Sequence, residues 1–349
     1  MKIERTTIDG HIHLEHWFDE NGTDFFELLD KLQKDSGVNG MNIASLTDKI
    51  YGGVEINMMA ALYKLHNSSA YAYAGLVYPE FPVVLPLPDG MDALTQYNEL
   101  MEIGFDGIKI LYKPDTQKEV KLPINNEFYE PLFAQAEEDK TPFLWHVADP
   151  EEFWASDREG EWSYGDGTYP AYKELYEQVF DVLKKHPELK VTFAHFLFLS
   201  DRPKVLEDIF NKYKNVGVDI TPGMEMYKNF NKDLGYYRDF FERYSDRILF
   251  GSDATVPDYK DSPRLMNCIY KAITMDKEVD MIFQKVEGLG LSDDACDKIF
   301  RTNFLNKNTT TPKPVNKIAL KKYINKYLHL VSNNEIKKQI LRKIEEETI

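Results

Sequence analysis

Short runs of apolar, β-branched or aromatic residues alternate with segments of helical periodicity along most of this chain. That alternation is the tightest constraint on its fold, because it signals parallel βα units. Strands are predicted near Arg5–His11, Val38–Ser45, Tyr71–Val77, Gly107–Leu111, Pro142–Trp145, Lys190–Ala194, Val216–Ile220 and Ile248–Gly251. Helices are predicted between them, near Asp24–Asp35, Ile56–Leu65, Asp92–Ile103, Glu127–Asp139, Ala171–His186, Pro203–Tyr213 and Leu234–Tyr244. The last of these carries Tyr237, Phe240, Phe241 and Tyr244 at i, i+3, i+4 and i+7, one apolar stripe. Two further helical stretches follow the eighth strand, near Pro263–Val286 and Ser292–Phe304. Eight strands, each followed by a helix, give an α/β fold of the (β/α)8 TIM-barrel type over residues 1–304. The alternative that the pattern leaves open is a doubly wound open sheet.

Residues 305–349 differ in kind. They hold ten basic and four acidic side chains, a local charge of +6 in a chain of net −16, which leaves −22 for the rest. Asn306–Asn316 reads as a linker, with Thr309-Thr310-Thr311-Pro312-Lys313-Pro314 at its centre. Beyond it, Leu320, Ile324, Tyr327, Leu328 and Val331 share one helical face, and Ile336, Ile340, Leu341 and Ile344 another. This basic helical extension is expected to fold back on the acidic barrel or on a dimer mate; a membrane surface is the other kind of partner such a face suits.

Composition narrows the function classes. An acidic chain argues against a nucleic-acid partner, whose footprint is a basic face. Two cysteines, Cys268 and Cys296, support neither a disulfide framework nor a cysteine zinc site, and they suit a reducing compartment. The start, Met1-Lys2-Ile3-Glu4-Arg5, has no apolar signal segment, and no stretch approaches the length of a membrane span. The expectation is a cytoplasmic protein acting on a small molecule, with no nucleic acid and no membrane as partner and with a homodimer allowed.

The eight histidines are few enough for position to matter. The first strand ends Asp9-Gly10-His11-Ile12-His13, and alternate residues of a strand share a face, so His11 and His13 point the same way. Two imidazoles at the C-terminal end of a barrel strand suit a Zn-type ion. The fifth strand ends in His146, the sixth in His195, and the eighth runs Leu249-Phe250-Gly251-Ser252-Asp253 into a carboxylate. Barrel closure brings these strand ends to one mouth. Lys109 lies in the apolar fourth strand, where it can hold a substrate carboxylate, bridge two metals if carbamylated, or extend outward to a helix. Asp9 shares the parity of His11 and His13 and can orient an imidazole or pair with a neighbouring strand. His16 can line the mouth or sit in a surface loop. His66, His186 and His329 fall at helix ends or in the tail.

Taken in order, His11-Ile12-His13, Gly107-Ile108-Lys109, His146, His195 and Leu249-Phe250-Gly251-Ser252-Asp253 resemble the amidohydrolase superfamily, and within it the branch of aminocarboxymuconate-semialdehyde decarboxylase-like enzymes. The likeness spans about residues 5–304. It implies that His11, His13, His146 and Asp253 are metal ligands and that His195 is a further ligand or a catalytic group. Two departures stand out: Phe196-Leu197-Phe198 replace the glycines that many relatives carry after the sixth-strand histidine, and Leu111-Tyr112 follow Lys109 where many have a histidine.

The resulting expectation is a metal-dependent hydrolase with one or two Zn or other divalent ions per chain. Asp253 would move the proton and His195 would support the nucleophile during attack on an amide, lactone or ester carbonyl. The same machinery in the superfamily also serves non-oxidative decarboxylation and hydration. A phosphoesterase or nuclease, or a non-catalytic metabolite-binding barrel, are the rivals from other classes. Substrate contacts are expected from Lys109, from Arg158 and Trp162 in the long Val147–Pro170 segment, and from Tyr227 after the seventh strand. That segment reads either as a lid over the mouth or as an aromatic cluster capping the barrel.

Overall fold

A computed structural model describes residues 2–14, 24–47, 53–78, 91–223, 225–256, 260–282 and 284–347; His16 lies outside them. Among these, the parallel strands are β1 (Ile8–Leu14), β2 (Gly40–Ala44), β3 (Tyr71–Gly75), β4 (Gly107–Leu111), β5 (Pro142–His146), β6 (Lys190–Phe193), β7 (Val216–Asp219), β8 (Ile248–Leu249) and β9 (Ala254–Val256). Their order, β8-β7-β6-β5-β4-β3-β2-β1-β9, is that of a TIM barrel unrolled. β8 and β9 are two halves of the eighth barrel strand. β8 pairs with β7 (Asp219 opposite Leu249), and β9 pairs with β1 (Ile12 opposite Ala254). Between the halves, Gly10 N–H donates to Phe250 C=O at 3.0 Å and Asp253 N–H donates to His11 C=O at 2.9 Å, which carries the ring across the seam. β2 to β4 are buried along their whole length, as a sheet covered by helices outside and side chains inside requires.

The prediction near Pro263–Val286 needs correcting. The helix there stops at Thr274, and β10 (Glu278–Met281) and β11 (Gln284–Glu287) form an antiparallel hairpin. The period changes from helical to two, with Val279 and Met281 buried and Glu278 and Asp280 exposed. β1 also runs farther than expected, to Leu14, so His11 and His13 lie within the strand.

The basic tail folds back on this chain. Helix Lys317–Tyr327 reaches the helix Ala93–Ile103 through Lys326 and Tyr327, which hold Glu99 at 2.6 and 2.7 Å. In the helix Asn334–Glu346, Arg342 and Lys343 grip Asp24 at 2.6 and 2.9 Å. Asp24 also caps the helix Phe25–Ser36 by accepting from Phe26 N–H. The linker is docked: Lys313 N–H donates to Asp106 at 2.7 Å and Asn316 N–H to Ile103 C=O at 2.8 Å. No helix among the described residues is long and apolar enough to cross a membrane.

Asp106 ties linker to barrel. Its carboxylate accepts from Lys64 Nζ at 2.6 Å and Ala72 N–H at 2.9 Å, besides Lys313 N–H. Both side chains of the Lys64–Asp106 pair are only 2% exposed. Removing one partner strands a buried charge, so Asp106→Ala is expected to lower the unfolding free energy by about 3–5 kcal/mol, read by urea titration.

Candidate metal centre at the barrel mouth

His11 and His13 are two residues apart on β1 and so reach the same face of the barrel. Their Nε2 atoms lie 3.0 Å apart. Asp253 Oδ1, from the segment joining β8 to β9, stands 3.4 Å from His11 Nε2 and 3.1 Å from His13 Nε2. Among the described residues, these three form a cluster of donor atoms able to hold a metal ion. The close approach of the segment to β1 depends on Gly251, where a Cβ would meet Thr221 Oγ1 at 2.7 Å and His11 Cβ at 2.8 Å.

The hydrogen bonds behind each ring fix which nitrogen carries the proton. His11 Nδ1 faces Asp219 Oδ2 at 2.7 Å, and His13 Nδ1 faces Ala44 C=O at 2.6 Å. Both partners accept, so the protons sit on Nδ1 and both Nε2 atoms present lone pairs. Two lone pairs and a carboxylate oxygen thus converge in a buried space. Burial and the Lys109 cation push His11 down to about 3, and burial pushes His13 down as well, so both rings are neutral at pH 7. Asp253, partly open to solvent, stays ionised, the desolvation it does feel outweighed by His13 and the other imidazoles around it. Neutral imidazoles backed by a carboxylate and a carbonyl are what a divalent cation binds, so the residues fit such an ion.

Lys109 points inward. Its Nζ lies 2.9 Å from His11 Nε2, its side chain is buried, and burial lowers its pKa to about 8. The outward extension to a helix is therefore not adopted. Asp9 does not orient an imidazole; Oδ1 accepts from His11 N–H at 3.0 Å and Ser252 N–H at 3.2 Å, clamping β1 to the eighth strand.

The residue that orients His11 is Asp219, at the end of β7, which the sequence reading missed. It also accepts from His195 N–H at 2.8 Å and Thr221 N–H at 3.1 Å, and although burial pushes its pKa up, the His11 ring, with the His195 and Thr221 side chains, brings it down to about 2. The signal was there in Val216-Gly217-Val218-Asp219, an apolar strand ending in a carboxylate, as in Asp253. Asp219→Asn is expected to weaken metal binding about 10- to 100-fold. Equilibrium dialysis against a buffered ion series reads the shift; an unchanged constant would remove the role.

His146 and His195 stand beside this trio. Their ring centroids are 4.8 Å apart, and His195 is 5.7 Å from the His11 ring. His146 Nε2 and His195 Nδ1 are buried and lack hydrogen-bond partners among the described residues; Asp149 Oδ1 is 3.7 Å from the former. Burial lowers His146 to about 4. His195 opens a run through Phe198 in which four non-glycine residues have φ between 52° and 55°. Such left-handed residues cost about 1–2 kcal/mol each. Packing of the Phe196 ring against Phe230, Phe240 and Phe241 holds the run in place. This explains the earlier departure: a left-handed turn favours glycine, and this chain forms it with buried aromatic and aliphatic side chains instead.

A cleft of about 280 Å³ opens over His13 and Asp253 of the trio. Phe153, Trp162, Phe198, Leu46 and Leu111 wall it, and His13, His146, His195, Asp253, Lys113 and Glu225 face it. Arg158 sits behind the wall, its guanidinium 3.9 Å above the Phe153 ring and its Nε donating to Trp162 C=O at 3.0 Å. Tyr227 is buried and donates its hydroxyl to Ile220 C=O at 2.9 Å; the cleft is lined instead by Pro222 and Gly223 of the same segment. The Val147–Pro170 segment closes on itself through Trp154 Nε1 to Pro170 C=O at 2.9 Å and Tyr164 to Asp149 at 2.7 Å.

The family model described as Amidohydrolase matches residues 8–303. The chain belongs to the amidohydrolase family. The fold recurs in solved structures of low sequence identity. An uncharacterized TIM-barrel protein from Bordetella bronchiseptica superposes with TM-score 0.56 at 13% identity, covering 87% of this chain and 98% of its own. A 2,6-dihydroxybenzoate decarboxylase complexed with 2,6-dihydroxybenzoate gives 0.53 at 15%, covering 88% and 99%. A dihydroxybenzoic acid decarboxylase from a Polaromonas species, with bound manganese and the inhibitor 2-nitroresorcinol, gives 0.51 at 14%, covering 88% and 97%. No curated protein matches the sequence.

Proposed function

We propose that this amidohydrolase removes CO2, without oxidation, from a small ring carboxylate bearing a hydroxyl group beside the carboxylate. The observation that carries the reading is Asp253, a carboxylate 37% exposed to an aromatic-walled, single-ring-sized cleft while its Oδ1 touches the two ligand imidazoles. The named decarboxylases of the same fold lend support. A divalent ion, zinc or manganese in class, would be held by His11, His13 and Asp253, with His146 beside them, and would supply positive charge to fix the substrate's oxygens.

The chain's own groups do the rest. Phe153, Trp162 and Phe198 give the ring apolar surface to pack against. Asp253 takes the proton of the substrate hydroxyl and returns it to the ring carbon that bears the carboxylate. The carbon–carbon bond to the carboxylate then breaks, its electron pair restores aromaticity, and CO2 leaves. His195, facing the same cleft, steadies the charge on the ring oxygen.

The hydrolysis of a lactone, ester or amide is the second reading. It is favoured by the place of Asp253, beside the two imidazoles and open to the cleft, where a carboxylate can take a proton from attacking water. Incubating the metal-loaded protein with hydroxybenzoates and with lactone and ester panels, while measuring CO2 and product, separates the two. CO2 with the decarboxylated phenol supports the proposal. Hydrolysis without CO2 transfers the site to the second reading, and turnover of neither overturns both.

A further inference from the structure

The cleft has a polar feature that the proton-transfer chemistry leaves unused. Glu225 follows β7 at the turn Thr221-Pro222-Gly223, and its Oε2 is wholly buried with no hydrogen-bond partner among the described residues. The carboxylate lies close over Gly223, where a Cβ would come within 2.9 Å of that oxygen. Buried acceptors without donors are rare in folded proteins and mark an ordered water or a ligand group. Two cavities meet at this residue. Glu225, Pro150, Glu152 and Phe198 line both the cleft over the metal trio and an outer groove of about 790 Å³ that runs on to Arg202, Lys228 and Lys232. His195 Nδ1, also buried and unpartnered among the described residues, belongs to a residue of the same cleft wall. Burial, with Glu152 and Asp201 adding to it against His195, raises the proton affinity of Glu225, in keeping with a carboxyl placed where water is scarce.

We infer that Glu225 is a specificity-determining residue that accepts a hydrogen bond from a hydroxyl or amino group on the substrate ring. The substrate class narrows accordingly, to ring carboxylates carrying a donor that reaches the β7 side of the cleft. The outer groove leaves room for a further substituent there. This rests on the reading that the cleft takes a ring carboxylate. A site built around a buried acceptor rejects an analogue that lacks the donor far more strongly than an apolar pocket rejects a change in size.

The test is calorimetric, on the metal-loaded full chain, with benzoate and its hydroxy and amino isomers as probes. Wild-type protein is expected to bind at least one isomer tenfold or more tighter than benzoate. Glu225→Leu is expected to collapse that ratio towards one, and Glu225→Gln, which keeps an acceptor, to retain part of it. A purely structural role would shift benzoate and its isomers together and leave the ratio intact. If Glu225→Leu fails to fold, the ratio in Glu225→Gln decides. No discrimination in wild type, which is what an ordered water alone would give, or an unchanged ratio in the variants, overturns the inference. A wild-type ratio that collapses in the variants without CO2 release would sink the decarboxylase reading and spare Glu225; CO2 release without the ratio would do the reverse.

Discussion

Asp253→Asn is expected to lower kcat by about a thousandfold, within the 10²–10⁴ range for a positioned proton-transfer group. The side chain is placed for both proposed roles, with Oδ1 3.1 and 3.4 Å from the His13 and His11 imidazoles and the carboxylate lining the cleft. The amide retains an oxygen of the same size but cannot take up and return a proton. Turnover should therefore collapse even at ion concentrations that restore full occupancy. Steady-state rates on whichever panel member the wild type converts, measured across an ion titration, give the answer. Recovery of wild-type rate at high ion would mean that Asp253 acts only as a ligand.

Stripping the ion with a chelator is expected to abolish turnover and to lower the midpoint of thermal unfolding by several degrees. The physical reason lies in the three acceptor atoms that face one another. His11 Nε2, His13 Nε2 and Asp253 Oδ1 are all within 3.4 Å, and the nearby donor is the Lys109 ammonium, 2.9 Å from His11. An ion that binds the folded arrangement and not the unfolded chain stabilises it by about 2.7 kcal/mol at a hundred times its Kd. Zn²⁺ or Mn²⁺ added back should restore both activity and melting temperature. A chelated protein that melts and turns over as before would show that the imidazoles are satisfied without an ion.

Much of this arrangement is legible in the sequence because barrel strands announce themselves. Gly107–Leu111 and the run ending in His146 are apolar, β-branched or aromatic, bounded by turn residues, and the strands lie there. Strand parity alone puts His11 and His13 on one face. What the sequence hides is register and direction. The carboxylate behind His11 is Asp219, 208 residues away, and only strand stagger tells it apart from Asp9 as the partner of that ring. The eighth strand is broken by the turn that gives Asp253 a φ of 60°, which no hydrophobic pattern reveals. The β10–β11 hairpin is short enough for its alternation to merge with the helix before it. Tyr227 sits in the expected segment, yet its hydroxyl turns inward to Ile220; the exposed rim falls to Trp162, 46% exposed. Lys109 is the opposite case, a charge whose inward direction follows from the carboxylates and imidazole it meets inside the barrel.

His11, His13 and Asp253 are proposed to hold one ion-binding site at the mouth of the barrel. Elemental analysis of the purified full chain tests it most directly, comparing wild type with a His11→Ala/His13→Ala double variant whose circular dichroism confirms folding. One or two equivalents of a divalent ion are expected per wild-type chain, with at least one of them lost in the variant. Full occupancy in a folded double variant would contradict it.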